Sequence, residues 1–163
     1  MTIFNRLGFF FVIFPILFSL NAPLDFPYQI QHGTPVSIQN FVDVTAGCNW
    51  TGVAGQVFDK NRVPKIGLTV EIHGVLGGSS VNLSSVTGSA VQMGPGGFEL
   101  KLADGLVGSS GAVYLQLFDP GGGPLSDKIY FSTYSDCEHN LVLVNMIEFA
   151  PISDIYFPLL FAR

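Results

Sequence analysis

Residues 113–124 read Val113-Tyr-Leu115-Gln-Leu117-Phe-Asp119-Pro-Gly-Gly-Gly-Pro124. Apolar and polar residues alternate from Val113 to Leu117, which is the period of a strand with one buried face. The pattern then stops at a run of glycine and proline that is typical of a turn. This stretch therefore predicts a short, half-buried β-strand that ends in a tight turn.

The same pattern of short strands between turn residues recurs along most of the chain. Candidate strands cover residues 52–59, 67–73, 79–86, 96–102, 112–118, 128–133 and 140–147, and a further short one lies within 36–41. No stretch after residue 22 keeps a 3.6-residue apolar period without an intervening glycine or proline. The spacing predicts an all-β fold, a single antiparallel β-sandwich of about seven strands with almost no helix.

Composition excludes several classes of protein. The chain has 163 residues, of which 48% are hydrophobic and only 12% are charged, so it is neither disordered nor a coiled coil. Seven basic against 12 acidic residues give a net charge of −5. Because the phosphates of nucleic acids require a basic face, we expect no nucleic-acid partner.

Residues 1–22 have the pattern of a targeting segment rather than of a folded element. Arg6 is followed by an uncharged, mostly apolar stretch from Leu7 to Leu20, the pattern of an export signal. The run is short for a membrane-spanning helix, but Pro23 makes cleavage after Ala22 unfavourable. The segment is therefore predicted as a signal peptide, with a retained N-terminal membrane anchor as the alternative, and the protein as secreted or attached to the cell surface.

The remaining chain divides into three parts. Residues 23–47 form an extended, proline-containing leader, 48–148 the sandwich domain, and 149–163 an apolar tail that includes Ile155-Tyr-Phe-Pro-Leu-Leu-Phe161. The tail is too short to span a bilayer. It packs on its own sandwich, adds to the exposed strand edge of a partner in an assembly, or serves as a targeting element.

The two cysteines, Cys48 and Cys137, form no C-x-x-C pair. In an oxidising compartment such a pair predicts one disulfide. It would close a loop of about 90 residues, which is worth roughly 4.6 kcal/mol in the chain-entropy model. The alternatives are free thiols, or a metal site that includes His139, although no ligand pair has the spacing of a zinc site.

A short internal repeat supports the prediction of tight turns. Gln56-Val-Phe-Asp59 is followed by Pro64, and Gln116-Leu-Phe-Asp119 by Pro124, an offset of 60 residues. An aspartate at the end of a strand accepts hydrogen bonds from backbone N–H groups two residues on. The repeat predicts two hairpins that are built alike. A calcium loop is the alternative, although neither segment supplies the six or more oxygen ligands that calcium requires.

One segment carries a resemblance to a known family. Gly55-Gln-Val-Phe-Asp59-Lys-Asn-Arg-Val-Pro64-Lys-Ile-Gly67-Leu-Thr-Val70 resembles the opening hairpin of carboxypeptidase regulatory-like domains, and Gly97-Phe-Glu-Leu100 resembles a later strand of that family. The segments 47–59 and 134–145 are also similar to a group of small secreted bacterial proteins. The resemblance implies an immunoglobulin- or transthyretin-like sandwich with a binding or accessory role and transfers no catalytic residue.

Motifs that carry chemistry are scarce in this sequence. There is no G-x-S-x-G, H-E-x-x-H or phosphate-binding loop, and His32, His73 and His139 are isolated. Glu71 and Glu99 could form an acid pair across strands, with separate exposed carboxylates as the simpler interpretation. We predict no catalytic residue, no metal site and no cofactor, and we expect that the protein is not an enzyme.

Aromatic side chains are the remaining candidates for a binding site. Trp50, Tyr114, Tyr130 and Tyr134 are candidates for ligand stacking, although core packing beside the disulfide is the alternative for Trp50. The expected function is a non-enzymatic interaction or structural module, secreted or on the cell surface. The alternative is a carbohydrate-binding module of the envelope or extracellular matrix, so the partner is an extracellular protein or a polysaccharide.

Overall fold

The structure is a computed structural model that describes residues 26–149. The predicted export segment 1–22, the start of the leader and residues 150–163 of the predicted tail lie outside the described residues. Within them the chain forms ten strands, one 3-10 turn and no α-helix. The elements are β1 (Tyr28–Ile30), β2 (Val36–Ile38), β3 (Thr51–Phe58), β4 (Thr69–Leu76), β5 (Ser79–Val86), the 3-10 turn (Val91–Met93), β6 (Gly97–Ala103), β7 (Ser109–Phe118), β8 (Ile129–Thr133), β9 (Leu141–Leu143) and β10 (Met146–Glu148).

The strands form two packed sheets, which confirms the predicted β-sandwich. In the larger sheet β3 lies at the centre, with β6 on one side and β9 and β10 on the other. β2 pairs with β9 and β1 pairs with β10, so the leader forms the far side of this sheet. The smaller sheet has the order β5-β4-β7-β8, and all its pairs are antiparallel.

Two features differ from the sequence prediction. The short strand expected within residues 36–41 is present as β2, but the leader also contributes β1. An interruption at Val144 and Asn145 divides the last predicted strand in two, so there are ten strands rather than about seven. In addition, β9 and β10 run parallel to β3, which makes the larger sheet mixed rather than antiparallel. A parallel neighbour requires a crossover, and here the chain passes through the other sheet between β3 and β9. The alternation of apolar residues predicts a strand but not the direction of its neighbours.

The main core fills the space between the sheets. Inward-facing residues of the smaller sheet include Val70, Ile72 and Leu115, and they meet Val53 and Phe98 of the larger sheet. Each of these side chains is fully buried. Burial of a side chain of this size contributes about 1.5–3 kcal/mol relative to leaving it exposed, so the sandwich is stabilised mainly by this layer.

A second apolar cluster covers the outer face of the larger sheet. Trp50, Ala54 and Leu141 pack there against Ala90 and Met93 from the connection between β5 and β6. As a result β3 is buried on both faces. The smaller sheet has no such apolar cluster on its outer face within residues 26–149.

The predicted disulfide is present and joins Cys48 to Cys137, whose Cα atoms lie 5.0 Å apart. It links the segment before β3 to the segment before β9. Asn140 ties the same two segments together, because its buried side chain accepts a hydrogen bond from the backbone N–H of Asn40 and donates to the carbonyls of Gly47 and Trp50. A covalent bond and a buried hydrogen-bond network therefore hold this end of the sandwich.

The repeated Asp-containing segments form two matching turns. One carboxylate oxygen of Asp59 accepts hydrogen bonds from the backbone N–H groups of Asn61 and Val63, and Asp119 makes the same contacts with Gly121 and Gly123. The prediction of two similar turns is therefore confirmed.

The first turn does not open a hairpin between two long strands, contrary to the prediction. Pro64 forms an isolated bridge with Phe58, and the chain then leaves for β4 in the other sheet. The second turn leads back into β8, which pairs with β7. The difference arises because the two turns are local, whereas the path beyond each turn depends on which sheet buries the next strand.

Candidate functional site

The outer face of the smaller sheet is the candidate site. On β4, Val70 and Ile72 point into the core, so the alternation of a strand turns Glu71 and His73 outward. The same alternation turns Tyr114 outward on β7 and Tyr130 on β8. The neighbouring strand β5 adds short polar side chains such as Asn82, which lies opposite His73.

Three rings form a continuous line across this face, which we call the aromatic row: His73, Tyr114 and Tyr130. His73 lies opposite Tyr114, and Tyr114 lies opposite Tyr130, in the strand register. The ring centroids are 5.5 Å and 5.4 Å apart, and the ring planes are tilted by 32° and 53°. The exposed fraction of Tyr130 is 59%. The row is therefore a set of adjacent tilted rings rather than a flat platform.

Polar groups surround the aromatic row. Nε2 of His73 lies 2.9 Å from Oε2 of Glu71, so the imidazole is held by a carboxylate on its own strand. Gln116 lies opposite Glu71, and its amide donates a hydrogen bond to the carbonyl of Ser126. The ammonium group of Lys128 lies 4.7 Å from the centre of the Tyr114 ring. The face therefore presents ring surfaces, hydrogen-bond donors and acceptors, and both a carboxylate and an ammonium group.

The four predicted stacking residues do not form one site. Trp50 is 1% exposed and packs in the second apolar cluster, so its ring is unavailable to a ligand and the core-packing alternative describes it. Tyr114 and Tyr130 are brought together in the aromatic row. Tyr134 is exposed but lies apart from the row, where its ring approaches His139 at 5.5 Å.

The site also includes His73 and Lys128, which the sequence did not single out, and Glu71, which was expected only as half of an acid pair. His73 was expected at the end of a strand, whereas it lies within β4. The alternation of Glu71 and His73 with buried residues was visible in the sequence, but only the strand order brings them beside Tyr114. The proposed acid pair does not exist, because Glu71 lies in the smaller sheet and Glu99 in the larger one.

Two adjoining clefts lie beside Tyr130, where the edge of β8 faces the leader. Their volumes are about 450 Å³ and 540 Å³, and both are lined by Pro35 and Tyr130. Tyr28 lines the first cleft, and its side chain is buried. Burial, with a smaller contribution from the negative charges of Glu148 and Asp59, raises the pKa of Tyr28 to about 12. Its hydroxyl therefore stays protonated at physiological pH.

The calcium loop and the Cys/His metal site were the two alternatives that involve a metal ion. Among residues 26–149, no three His, Cys, Asp or Glu side chains are arranged to hold one. The same residues contain no helix that is long and apolar enough to cross a membrane. Comparisons with protein-family models, curated proteins and solved structures found no match to this chain.

Proposed function

We propose that this chain is a non-enzymatic recognition module, secreted or held at the cell surface, and that the aromatic row contacts its ligand. The observation that carries the proposal is the difference between the two sheets. The outer face of the larger sheet is covered by its own apolar cluster, whereas the outer face of the smaller sheet carries three adjacent rings beside Glu71 and Lys128.

The backbone positions these rings before any ligand arrives. His73, Tyr114 and Tyr130 each lie on a different strand, and the ladders between those strands set their spacing. Tyrosine supplies a large contact area with few rotatable bonds, so it is enriched at protein interfaces and in their energetic hot spots. A surface of this kind is preorganised, which lowers the entropy that binding must overcome.

An extracellular protein is the ligand class that we favour. The 32° and 53° tilts between the rings present edges as well as faces, and Lys128 occupies one side of the Tyr114 ring. A surface of tilted rings fits the protruding side chains of a protein better than a flat polysaccharide chain. The disulfide agrees with an oxidising, extracellular environment, and the resemblance to carboxypeptidase regulatory-like domains agrees with a binding role.

A polysaccharide is the second candidate ligand. The exposed Tyr130 ring provides a face on which one sugar ring can stack, and Glu71 and Gln116 provide hydrogen-bonding groups on the same face. In this case the tilt of the rings limits stacking to one or two sugar rings. The carbohydrate candidate is therefore a module for short glycans or chain segments rather than for a flat crystalline surface.

The experiment that tests the proposal compares two tyrosine variants. The oxidised chain, Tyr114→Ala and Tyr134→Ala are each applied to a glycan array and to an array of extracellular proteins from the same source. Tyr134 is the matched control because it is an exposed tyrosine outside the row. We expect saturable binding that weakens about tenfold or more in Tyr114→Ala, the loss of a hot-spot contact, and less than about twofold in Tyr134→Ala.

The two arrays separate the ligand classes. Binding to proteins alone supports the favoured ligand, and binding to a defined class of glycan supports the second candidate. Equal binding by Tyr114→Ala and the unchanged chain on whichever array responds would remove the aromatic row as the contact surface. Circular dichroism of each variant confirms that the sandwich remains folded.

A further inference from the structure

The open side of the sandwich is a groove between β8 and the leader. β8 is the last strand of the smaller sheet, and only its β7 side is paired within the described chain. β1 and β2 occupy the far side of the larger sheet. At one end the groove is closed, because Tyr28 bridges to Ser126 and donates its backbone N–H to the carbonyl of Leu125. The groove comprises the two adjoining clefts described above.

The groove combines an unpaired strand edge with apolar walls. Ile30, Val36, Tyr130 and Tyr134 line it, and their exposed fractions lie between 37% and 59%. A strand edge leaves backbone N–H and C=O groups that can pair with a further extended segment. An apolar strand in this groove would therefore satisfy the edge of β8 and remove Ile30, Val36 and Tyr134 from water.

We propose that residues 155–161 of the same chain occupy this groove. The segment reads Ile155-Tyr-Phe-Pro-Leu-Leu-Phe161 and contains no charge. The described chain ends beside the closed end of the groove, since Glu148 lies opposite Tyr28 and the N–H of Phe149 donates to the carbonyl of Pro27. Residues 150–154 can span up to about 17 Å, which is enough to lead the chain back into the groove.

Length and tethering favour occupation by the same molecule. Seven extended residues cover about 23 Å, whereas β8 with its flanking residues 126–134 covers about 30 Å, so the segment fits along the groove. A short tether gives an effective concentration on the order of millimolar. Pro158 has no N–H to donate, so it must lie where the segment does not pair with β8. The residues on either side of Pro158 supply the backbone bonds.

Amide hydrogen exchange of β8 in the intact, oxidised chain tests this proposal. We compare the unchanged chain with Phe157→Asp/Leu160→Asp, which places charges in the apolar segment. Ser153→Asp is the matched control because it adds a charge outside that segment. We expect the amides of residues 129–133 to exchange about tenfold or more faster in the double variant and at an unchanged rate in the control. Equal exchange in all three chains would overturn the proposal.

A variant of the groove provides an independent test. Val36→Asp, within the groove, should accelerate exchange in β8, whereas Val91→Asp, which is 82% exposed outside the groove, should not. Slow exchange in β4 shows that each variant is folded. Sedimentation must show that the chain is a monomer under these conditions. If the chain is a dimer and the protection of the β8 amides is lost on dilution, the groove is occupied by a second copy instead.

Discussion

Glycine at two positions of β3 allows other parts of the chain to approach this strand closely. A Cβ atom on Gly52 would lie 2.4 Å from the ring of Trp50, and one on Gly55 would lie 1.8 Å from the carbonyl oxygen of Val144. Contacts this short cannot be accommodated without movement. The two glycines therefore explain how a buried tryptophan and the link between β9 and β10 both pack closely against β3.

Replacing Gly52 by alanine should be strongly destabilising. The new methyl group would meet the Trp50 ring and the carbonyl oxygen of Leu100, both in a closely packed region. We expect a loss of about 2–3 kcal/mol in the free energy of unfolding, measured by urea denaturation. Gly108→Ala is the matched control, since its nearest neighbour would lie at 3.5 Å. Similar stabilities for the two variants would contradict this packing.

Glu99 should make stability depend on pH. Burial raises the pKa of the Glu99 carboxyl, and the nearby charge of Asp43 adds to this, against a hydrogen bond from Gln92 that lowers it. The folded state therefore holds the proton more tightly than the unfolded state. This contribution to stability is fully present below the unfolded-state pKa and is lost as the pH rises through the folded-state pKa.

Glu99→Gln isolates this effect. The variant keeps an oxygen acceptor for Gln92 but cannot ionise, so its Tm relative to the unchanged chain should increase between about pH 3.5 and pH 7. Calorimetry across that range measures the difference, and Glu138→Gln, on the exposed surface, controls for the removal of one charge. A Tm difference for Glu99→Gln that is constant with pH would rule out this role for the carboxyl.

At the scale of elements, the two aspartate turns share their hydrogen bonds but differ in one residue. Arg62 occupies the left-handed region with φ of 64°, and Gly122 occupies the corresponding position with φ of 86°. In both turns the N–H of this residue donates to the carbonyl of the aspartate. Arginine at the position that glycine occupies in the second turn therefore leaves the hydrogen bonding of the turn unchanged and places the backbone strain on Arg62.

A pair of substitutions tests this equivalence. Gly122→Ala has open space around the new Cβ atom, so only the backbone opposes it, and we expect a loss of about 1 kcal/mol. Arg62→Gly relieves the same strain but increases the entropy of the unfolded chain, so its stability should change by less than about 1 kcal/mol. Chemical denaturation of both variants measures the two changes in the free energy of unfolding. Equal losses in both would show that Arg62 is held by contacts rather than tolerated by the backbone.

For the whole molecule, the disulfide connects segments that are 89 residues apart. Replacing both cysteines, Cys48→Ser/Cys137→Ser, should lower the free energy of unfolding by about 4–5 kcal/mol. The buried Asn140 network and the inter-sheet core remain, so the variant should still fold at low temperature. Denaturation of the variant beside the unchanged chain, oxidised and reduced, measures the loss. A reduced chain as stable as the oxidised one would contradict this estimate.

Features that depend on neighbours along the chain were predictable from the sequence. Alternation of apolar residues predicted the positions of β4 to β8 within a few residues, and the aspartate repeat predicted both turns, because these patterns act over a few bonds. The even pair of cysteines predicted the disulfide. Two tyrosines of the aromatic row, Tyr114 and Tyr130, were also among the candidates.

The neighbours of each strand, in contrast, became known only from the fold. Strand order buried Trp50 on the outer face of the larger sheet, brought His73 beside Tyr114 and separated Glu71 from Glu99. It also paired the leader with β9 and β10 and left a groove along β8. These outcomes depend on the burial of apolar surface between segments far apart in the chain. An apolar pattern that repeats every two residues predicts a strand, but it does not indicate which other strand will pair with it.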